Sequence, residues 1–454
     1  MFRELEYRGE WWLPQDPNKK VGGTFRFSPD KGVRLELAGV LEDSPSGVFA
    51  PERVWGIVPE RRGEITLYRC LEVSRQISGV GAMISDFVAQ TAFLGAHIDP
   101  EKHIFSSIRF ESSELDSWAN FRWVEFPQFK DLMSKRFCIE FEEPEPFKAI
   151  LDDGTQVLLE ARITRPKLSR IQREVCLQRK TFFRIIPPTP RPYNECRKLV
   201  HTMLDLVSFA LLYPAIPTEV VGHTSESGSE VEILYGVSRG ASSDRSFLHI
   251  YWPLFNFNDI CNEFELFVRK WFDIKTRLEP VSNLYLATLR ASEMPIELAF
   301  LTIVHALEAF HRLKIGGQEL PEEEHQKRVK EITDSVPSQW RQWLMEKFKY
   351  SNEVSLRARL ADICEMFIAV ANRIIGGKKD IKHFISTVID TRNYLTHYDP
   401  ELKQKAADPI TLFDITERLK ILVECCLLRE LGFSEKWIVE RIKEVRLARL
   451  SQAK

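Results

Sequence analysis

The feature that most constrains this chain is a change in the period of its apolar residues. Up to about residue 185 they alternate with polar ones in short runs, and from Asn258 onward they recur at helical spacing. Alternation marks half-buried strands, and a period near 3.6 marks amphipathic helices. The two patterns occupy different parts of the sequence, so an α+β chain with separate β-rich and helical parts is expected. A length of 454 residues suits two or three domains.

Residues 1–185 read as a β-rich N-terminal domain, a sandwich or an irregular barrel. Gly23–Phe27 and Val33–Leu37 flank the turn Ser28-Pro29-Asp30-Lys31-Gly32 and form a hairpin with one polar and one apolar face. Glu64–Tyr68 and Arg136–Phe141 continue the pattern. Phe147–Leu151 and Val157–Ile163 flank the turn Asp152–Thr155 as a second hairpin. Trp11, Trp12, Trp55, Trp118, Phe121, Trp123 and Phe126 are read mainly as core. His97 and His103 flank Asp99-Pro100-Glu101, where a metal site is conceivable, but a loop with satisfied polar side chains is the preferred reading.

The run Pro187-Pro188-Thr189-Pro190-Arg191-Pro192 ends that region. Residues 186–279 read as a mixed extension. A helix is expected over Asn194–Leu212 and a polar loop over Gly222–Gly228. Strands Val231–Val237 and Ser246–Trp252 are expected to pair around Ser238–Asp244, a loop without Walker spacing. Residues 280–454 read as an all-α bundle. Helices are expected over Ile296–Arg312, Pro321–Ser335, Ser338–Phe348, Ser355–Ala371, Leu412–Leu431 and Glu435–Leu450, with one more after Gly376-Gly377, capped by Asp380.

Bulk properties narrow the function. The net charge of −2 leaves no global basic field, so any nucleic-acid contact must be a local patch. No apolar run approaches a membrane span, and the start has no signal-peptide pattern. The eight cysteines contain no C-x-x-C pair, which argues against a zinc ribbon or disulfide scaffold and for a reducing cytoplasm. No metal-ligand cluster is visible, and no cofactor is expected.

One short stretch carries chemistry: Thr391-Arg392-Asn393-Tyr394-Leu395-Thr396-His397-Tyr398. Of the ten histidines only His397 follows an arginine at this spacing. His titrates near neutral pH and suits acid–base work on RNA, whose 2′-hydroxyl lies beside the scissile phosphate. Arg392 is a permanent planar cation for charge gathering on that phosphate. Asn393 both donates and accepts, so it suits orienting the phosphate or His397. The competing reading is a plain helix end, with Arg392 on a solvated face and Pro400 as the stop. On a straight helix Arg392 and His397 diverge by roughly 140°. Glu308 stands inside an apolar helical run, where an unpaired carboxylate is costly. It is expected either in a structural salt bridge, with Arg392 as one candidate partner, or in a supporting catalytic role.

The stretch Arg392–His397 resembles the R-x4-6-H signature of HEPN ribonucleases, which cut RNA without a metal. Ala306–His311 resembles the first helix of the HEPN domain of ApeA-type anti-phage proteins, and Gly22–Gly39 resembles the start of their N-terminal domain. The resemblance implies an anti-phage, abortive-infection RNA endonuclease. Its catalytic residues would be Arg392, Asn393 and His397, its substrate single-stranded or loop RNA, and its products 2′,3′-cyclic phosphates and 5′-hydroxyls. It also implies a homodimer through the HEPN domain, in which two motifs meet across a symmetric interface, and an N-terminal region that senses a phage-derived trigger. Some relatives carry R-x4-H-x-Y with a modifiable Tyr; Tyr398 is one position out of register. The alternative is a non-catalytic HEPN module that binds RNA or nucleotide, fused to a β-rich protein-interaction domain. Lys436, Arg441, Lys443, Arg446, Arg449 and Lys454 outweigh Glu435, Glu440 and Glu444, so the C-terminal helix is a candidate for RNA attraction.

Overall fold

A computed structural model describes residues 4–42, 48–59, 63–77, 83–102, 104–112, 114–120, 124–125, 140–141, 144–164, 178–226, 228–237, 252–291 and 293–447. The chain divides into two compact units, Met1–Arg269 and Lys270–Lys454.

The first unit is built on one long antiparallel sheet, part of which closes on itself. Strands β1 (Leu5–Leu13), β2 (Asp16–Ser28), β3 (Gly32–Leu37), β4 (Arg53–Val58), β5 (Gly63–Ile77) and β6 (Met83–Leu94) run in the order β6-β3-β2-β1-β4-β5, and β5 pairs back onto β6. This is a closed six-stranded barrel. The alternation read from sequence sets its inside: Phe25 and Phe27 of β2 and Val33, Leu35 and Leu37 of β3 all face the core. Trp11 lies fully buried against Gly56, where any β-carbon would enter its ring.

The sheet continues past the barrel because β6 also pairs with β14 (Glu230–Leu234). Beyond it lie β13 (Pro217–Thr224), β7 (Phe105–Ser112), β12 (Gln178–Ile186), β11 (Gln156–Thr164) and β10 (Phe147–Ile150). Two short strands, β8 (Val124–Glu125) and β9 (Glu140–Phe141), pair separately. Helix α1 (Leu115–Ala119) and helix α2 (Tyr193–Leu211) pack on this wing, with Tyr193 edge-on to Phe93 at 4.9 Å. Both expected hairpins form, β2–β3 and β10–β11.

One expectation is overturned here. Besides β6, β14 pairs with β13, a strand in the stretch partly read as a polar loop. Register shifts in its pairing with β7 spoil its alternation, and Gly222 lies over the Phe105 ring, so the sequence pattern looked like a turn. The expected loop Ser238–Asp244 and nearly all of Ser246–Trp252 lie outside the described residues, as do His103 and most of Arg136–Phe141.

His97 stacks on Trp55 at 4.9 Å and its Nε2–H donates to the Gly56 carbonyl. Asp99 pairs with Arg53 at 2.7 Å, and Glu101 accepts from Tyr68. This loop therefore satisfies its own polar groups. Trp11, Trp12 and Trp118 are core, whereas Phe121, Trp123 and Phe126 fall outside the described side chains.

The second unit is helical. Helix α3 (Phe264–Arg277) crosses the division, and α4 (Glu279–Arg290), α5 (Ile296–Lys314) and α12 (Pro409–Leu431) form its centre. Between them in sequence come α6 (Glu322–Ser335), α7 (Ser338–Phe348), α8 (Leu356–Met366), α9 (Ile368–Ile374), α10 (Lys378–His397) and α11 (Pro400–Lys403); α13 (Glu435–Ile442) follows α12. The expected helix Ser355–Ala371 is instead two helices. Phe367 leaves helical geometry (φ −120°, ψ 40°) with its ring buried.

The C-terminal helix also stops early. After Ile442 the chain widens into a π-turn, Lys443–Leu447. The turn delivers the Arg446 guanidinium to Glu424 of α12 through bonds of 2.7 and 3.0 Å. Glu424 is fully buried and also accepts from Tyr285 at 2.7 Å. Arg446 is thus an internal ion-pair partner rather than an RNA-facing cation. Arg441 and Lys443 pair with Glu444 and Glu440. Arg449 and Lys454 lie outside the described residues. Among the described residues no helix is long and apolar enough to cross a membrane.

Candidate functional site

The motif sits on the last turns of α10, and local chemistry fixes both ends of that helix. At the start, the Gly377 N–H donates to Asp380 Oδ2 at 2.8 Å. Asp380 therefore occupies the third helical position, and Gly377 the cap that the sequence reading gave to Asp380. Gly376 has φ +128°, and a side chain there would also strike Asp380. Ile381, Phe384, Ile385, Val388 and Thr391 form the buried stripe. At the far end Tyr398 takes the left-handed conformation, and Pro400 starts α11. Thr391 Oγ1 accepts the Ala407 N–H at 2.9 Å, which ties the following loop back to the helix.

This frame aims the motif residues in two directions. Arg392 and Asn393 line an open cleft of about 680 Å³. The cleft is walled by Glu308, Ala309 and Arg312 of α5, by residues 353–354, and by Ser355, Leu356, Arg357 and Arg359 at the start of α8. His397, the last residue of α10, is exposed and is not among the cleft residues. Five residues along a regular helix correspond to roughly 7.5 Å of rise and 140° of rotation. One chain thus brings Arg392 and Asn393 together and holds His397 apart. Tyr398, beside it, is 69% exposed, and its ring meets that of Tyr394.

The cleft is positive, with four arginines against Glu308 and Glu353. Arg392 Nη1 donates to Asn393 Oδ1 at 3.3 Å, while its buried Nε finds no partner among the described residues. Glu308 is half-buried and makes no hydrogen bond or ion pair among the described residues, so the expected bridge to Arg392 is not formed. The two groups instead face the same cleft.

A second constellation was not singled out from sequence. His311, on α5, is 1% exposed; its Nε2 meets Asp362 Oδ2 at 2.8 Å and its Nδ1 meets Arg359 Nη1 at 3.3 Å. An arginine only donates, so Nδ1 is the acceptor and the ring proton lies on Nε2, directed at Asp362. Arg359 Nε also donates to the Val354 carbonyl at 2.9 Å. Burial holds the Arg359 guanidinium below its ordinary value, aided by Arg312 and opposed by Glu308 and Glu353. Its one sequence signal is a histidine one turn beyond Glu308 on an otherwise apolar helix, whose partners lie some fifty residues away.

Among the described residues no group of three or more His, Cys, Asp or Glu is placed to hold a metal ion. Two family models match the chain: ApeA N-terminal domain 1 over residues 6–271, and Apea-like HEPN over residues 301–436. The second match contains Glu308, His311, Arg359 and the whole motif. Comparison with curated proteins and with solved structures found no match.

Proposed function

The chain belongs to the ApeA family, a β-rich N-terminal domain joined to a HEPN domain, and on that premise we propose that it is a metal-independent RNA endonuclease of anti-phage defence. The observation that carries this reading is the positive cleft lined by Arg392 and Asn393, with an Arg392 Nε that has no partner among the described residues. In the reaction the 2′-hydroxyl oxygen attacks the neighbouring phosphorus and the bond from phosphorus to the 5′-oxygen breaks. One proton leaves the 2′-oxygen and one reaches the 5′-oxygen. His397 takes or gives that proton, Arg392 stabilises the charge on the phosphoryl oxygens, and Asn393 orients the phosphate.

The placement of His397 outside its own cleft favours a twofold dimer, in which the His397 of one chain reaches the cleft of the other. Tyr398 in the motif, and Ile410 and Phe413 at the start of α12, are large side chains left exposed, which suits such an interface. Glu308 supports the site by balancing its cations. The N-terminal domain acts as the sensor of a phage-derived trigger, and the protein works in the cytoplasm as an abortive-infection effector. Incubation of the purified chain with RNA, with and without a chelator, tests the chemistry. The expected products carry 2′,3′-cyclic phosphate and 5′-hydroxyl ends in both arms. A requirement for Mg²⁺, or 5′-phosphate products, would refute it.

The separation of His397 from Arg392 within one chain also favours a second reading, a HEPN module that binds RNA without cutting it. Tight RNA binding with no cleavage under any condition would select it.

A further inference from the structure

We infer that the α8 side of the cleft is a second phosphate subsite, built on Arg359 with Arg357, which makes the ligand a polynucleotide held by two phosphates rather than a nucleotide or dinucleotide. This deepens the proposed function and rests on the reading of the cleft as an RNA site. Arg359 is 3% exposed, an unusual place for a guanidinium unless it is held for a purpose. Two of its three nitrogens are bonded, Nε to Val354 and Nη1 to His311. Among the described residues Nη2 has no partner, and Arg359 lines the cleft.

The donor is fixed before any ligand arrives. Asp362 orients His311, and His311, as an acceptor at Nδ1, orients Arg359. His311 and Asp362 are thus positioning residues. A guanidinium locked in this way loses little freedom on gripping an anion.

Three neighbours point to the same ligand. Ser355 caps α8 by accepting the Ala358 N–H, and the first turn of α8, Leu356 and Arg357, forms part of the cleft wall. The amides there favour negative charge. Arg357 is exposed and reaches across to Ser386 of α10 at 3.0 Å. Arg312 is already paired with Glu353 at 2.8 Å, so it contributes less. Arg392 lines the same cleft from α10, so α8 and α10 each contribute a cation position to it.

The test uses the full chain carrying His397→Ala, so that RNA is bound and not consumed. Fluorescence anisotropy is measured with a labelled RNA of about twelve nucleotides and with a dinucleotide, over a range of salt. Arg357→Ala and Arg359→Lys are each expected to weaken the longer RNA about tenfold. Each should lower the slope of log affinity against log salt by about 0.7, the value for one phosphate contact on a single strand. Dinucleotide binding should stay unchanged in both, whereas Arg392→Ala weakens both ligands. His311→Asn, which can keep an acceptor near Nδ1, should retain more affinity than His311→Leu. Arg357 is exposed and its loss leaves the fold intact, so unchanged affinity and slope in Arg357→Ala would overturn the subsite alone. A parent protein that binds no RNA would overturn the RNA reading of the cleft as well.

Discussion

At the scale of single residues, the proposed chemistry rests on side chains that contribute little to the fold. His397 is exposed at a helix end, so His397→Ala should leave thermal unfolding nearly unchanged. It should reduce RNA cleavage by on the order of a hundred- to ten-thousand-fold, as loss of a positioned acid or base does. A thermal melting curve and a gel assay of RNA cleavage check this; a variant that cuts at the parent rate would remove His397 from the mechanism. Arg392→Lys should fail to restore cleavage, because an ammonium has no planar fork for two phosphate oxygens. The motif was legible in sequence because its residues are consecutive on one helix. The Asp362–His311–Arg359 relay was not, since its members meet only once α5 and α8 pack together. For Glu308 the apolar run left two readings open, a structural salt bridge or a supporting role; no bridge forms among the described residues, and the residue opens onto the cleft.

At the scale of elements, helix termini and turns carry testable weight. Asp408 caps α12, and bonds from Thr411 and Ile410 hold its carboxyl below the ordinary value. A depressed value means that the contribution is present above the unfolded carboxylate range and is lost as pH falls through the depressed value. Denaturant unfolding across acid pH should therefore show a stability loss that Asp408→Asn flattens; an identical acid limb in the variant would contradict this. Arg446→Ala should cost on the order of 3–5 kcal/mol, because the fully buried Glu424 carboxyl loses its ion-pair partner. Chemical denaturation reads that directly, and a loss below about 1 kcal/mol, as for an exposed ion pair, would show the pair to be solvated. Helix positions were readable from periodicity, since α5, α7 and α12 fall close to their expected bounds. What periodicity missed were places where burial of one side chain overrides it: Phe367 splits a helix, and Arg446 draws the C-terminal helix into a wide turn.

At the scale of the whole molecule, the change of hydrophobic period marked the β-to-α transition, while the closure of the barrel was invisible to it. Closure depends on β3 pairing with β6 and β1 with β4, strands far apart in sequence whose registers no local pattern encodes. The same holds for the proposed dimer, because a helix that points Arg392 and His397 apart does not encode where a second chain would dock. Mixing two inactive variants decides the matter. Arg392→Ala and His397→Ala proteins are each expected to be inactive on RNA. Co-refolded or co-expressed, they form mixed dimers in which one chain supplies an intact Arg392 and the other an intact His397. Measured as the rate of formation of 2′,3′-cyclic phosphate ends, the mixture should regain a substantial fraction of the parent rate, while each variant alone stays near background. A mixture as inactive as its components, in dimers shown to have exchanged chains, would contradict a site shared between protomers.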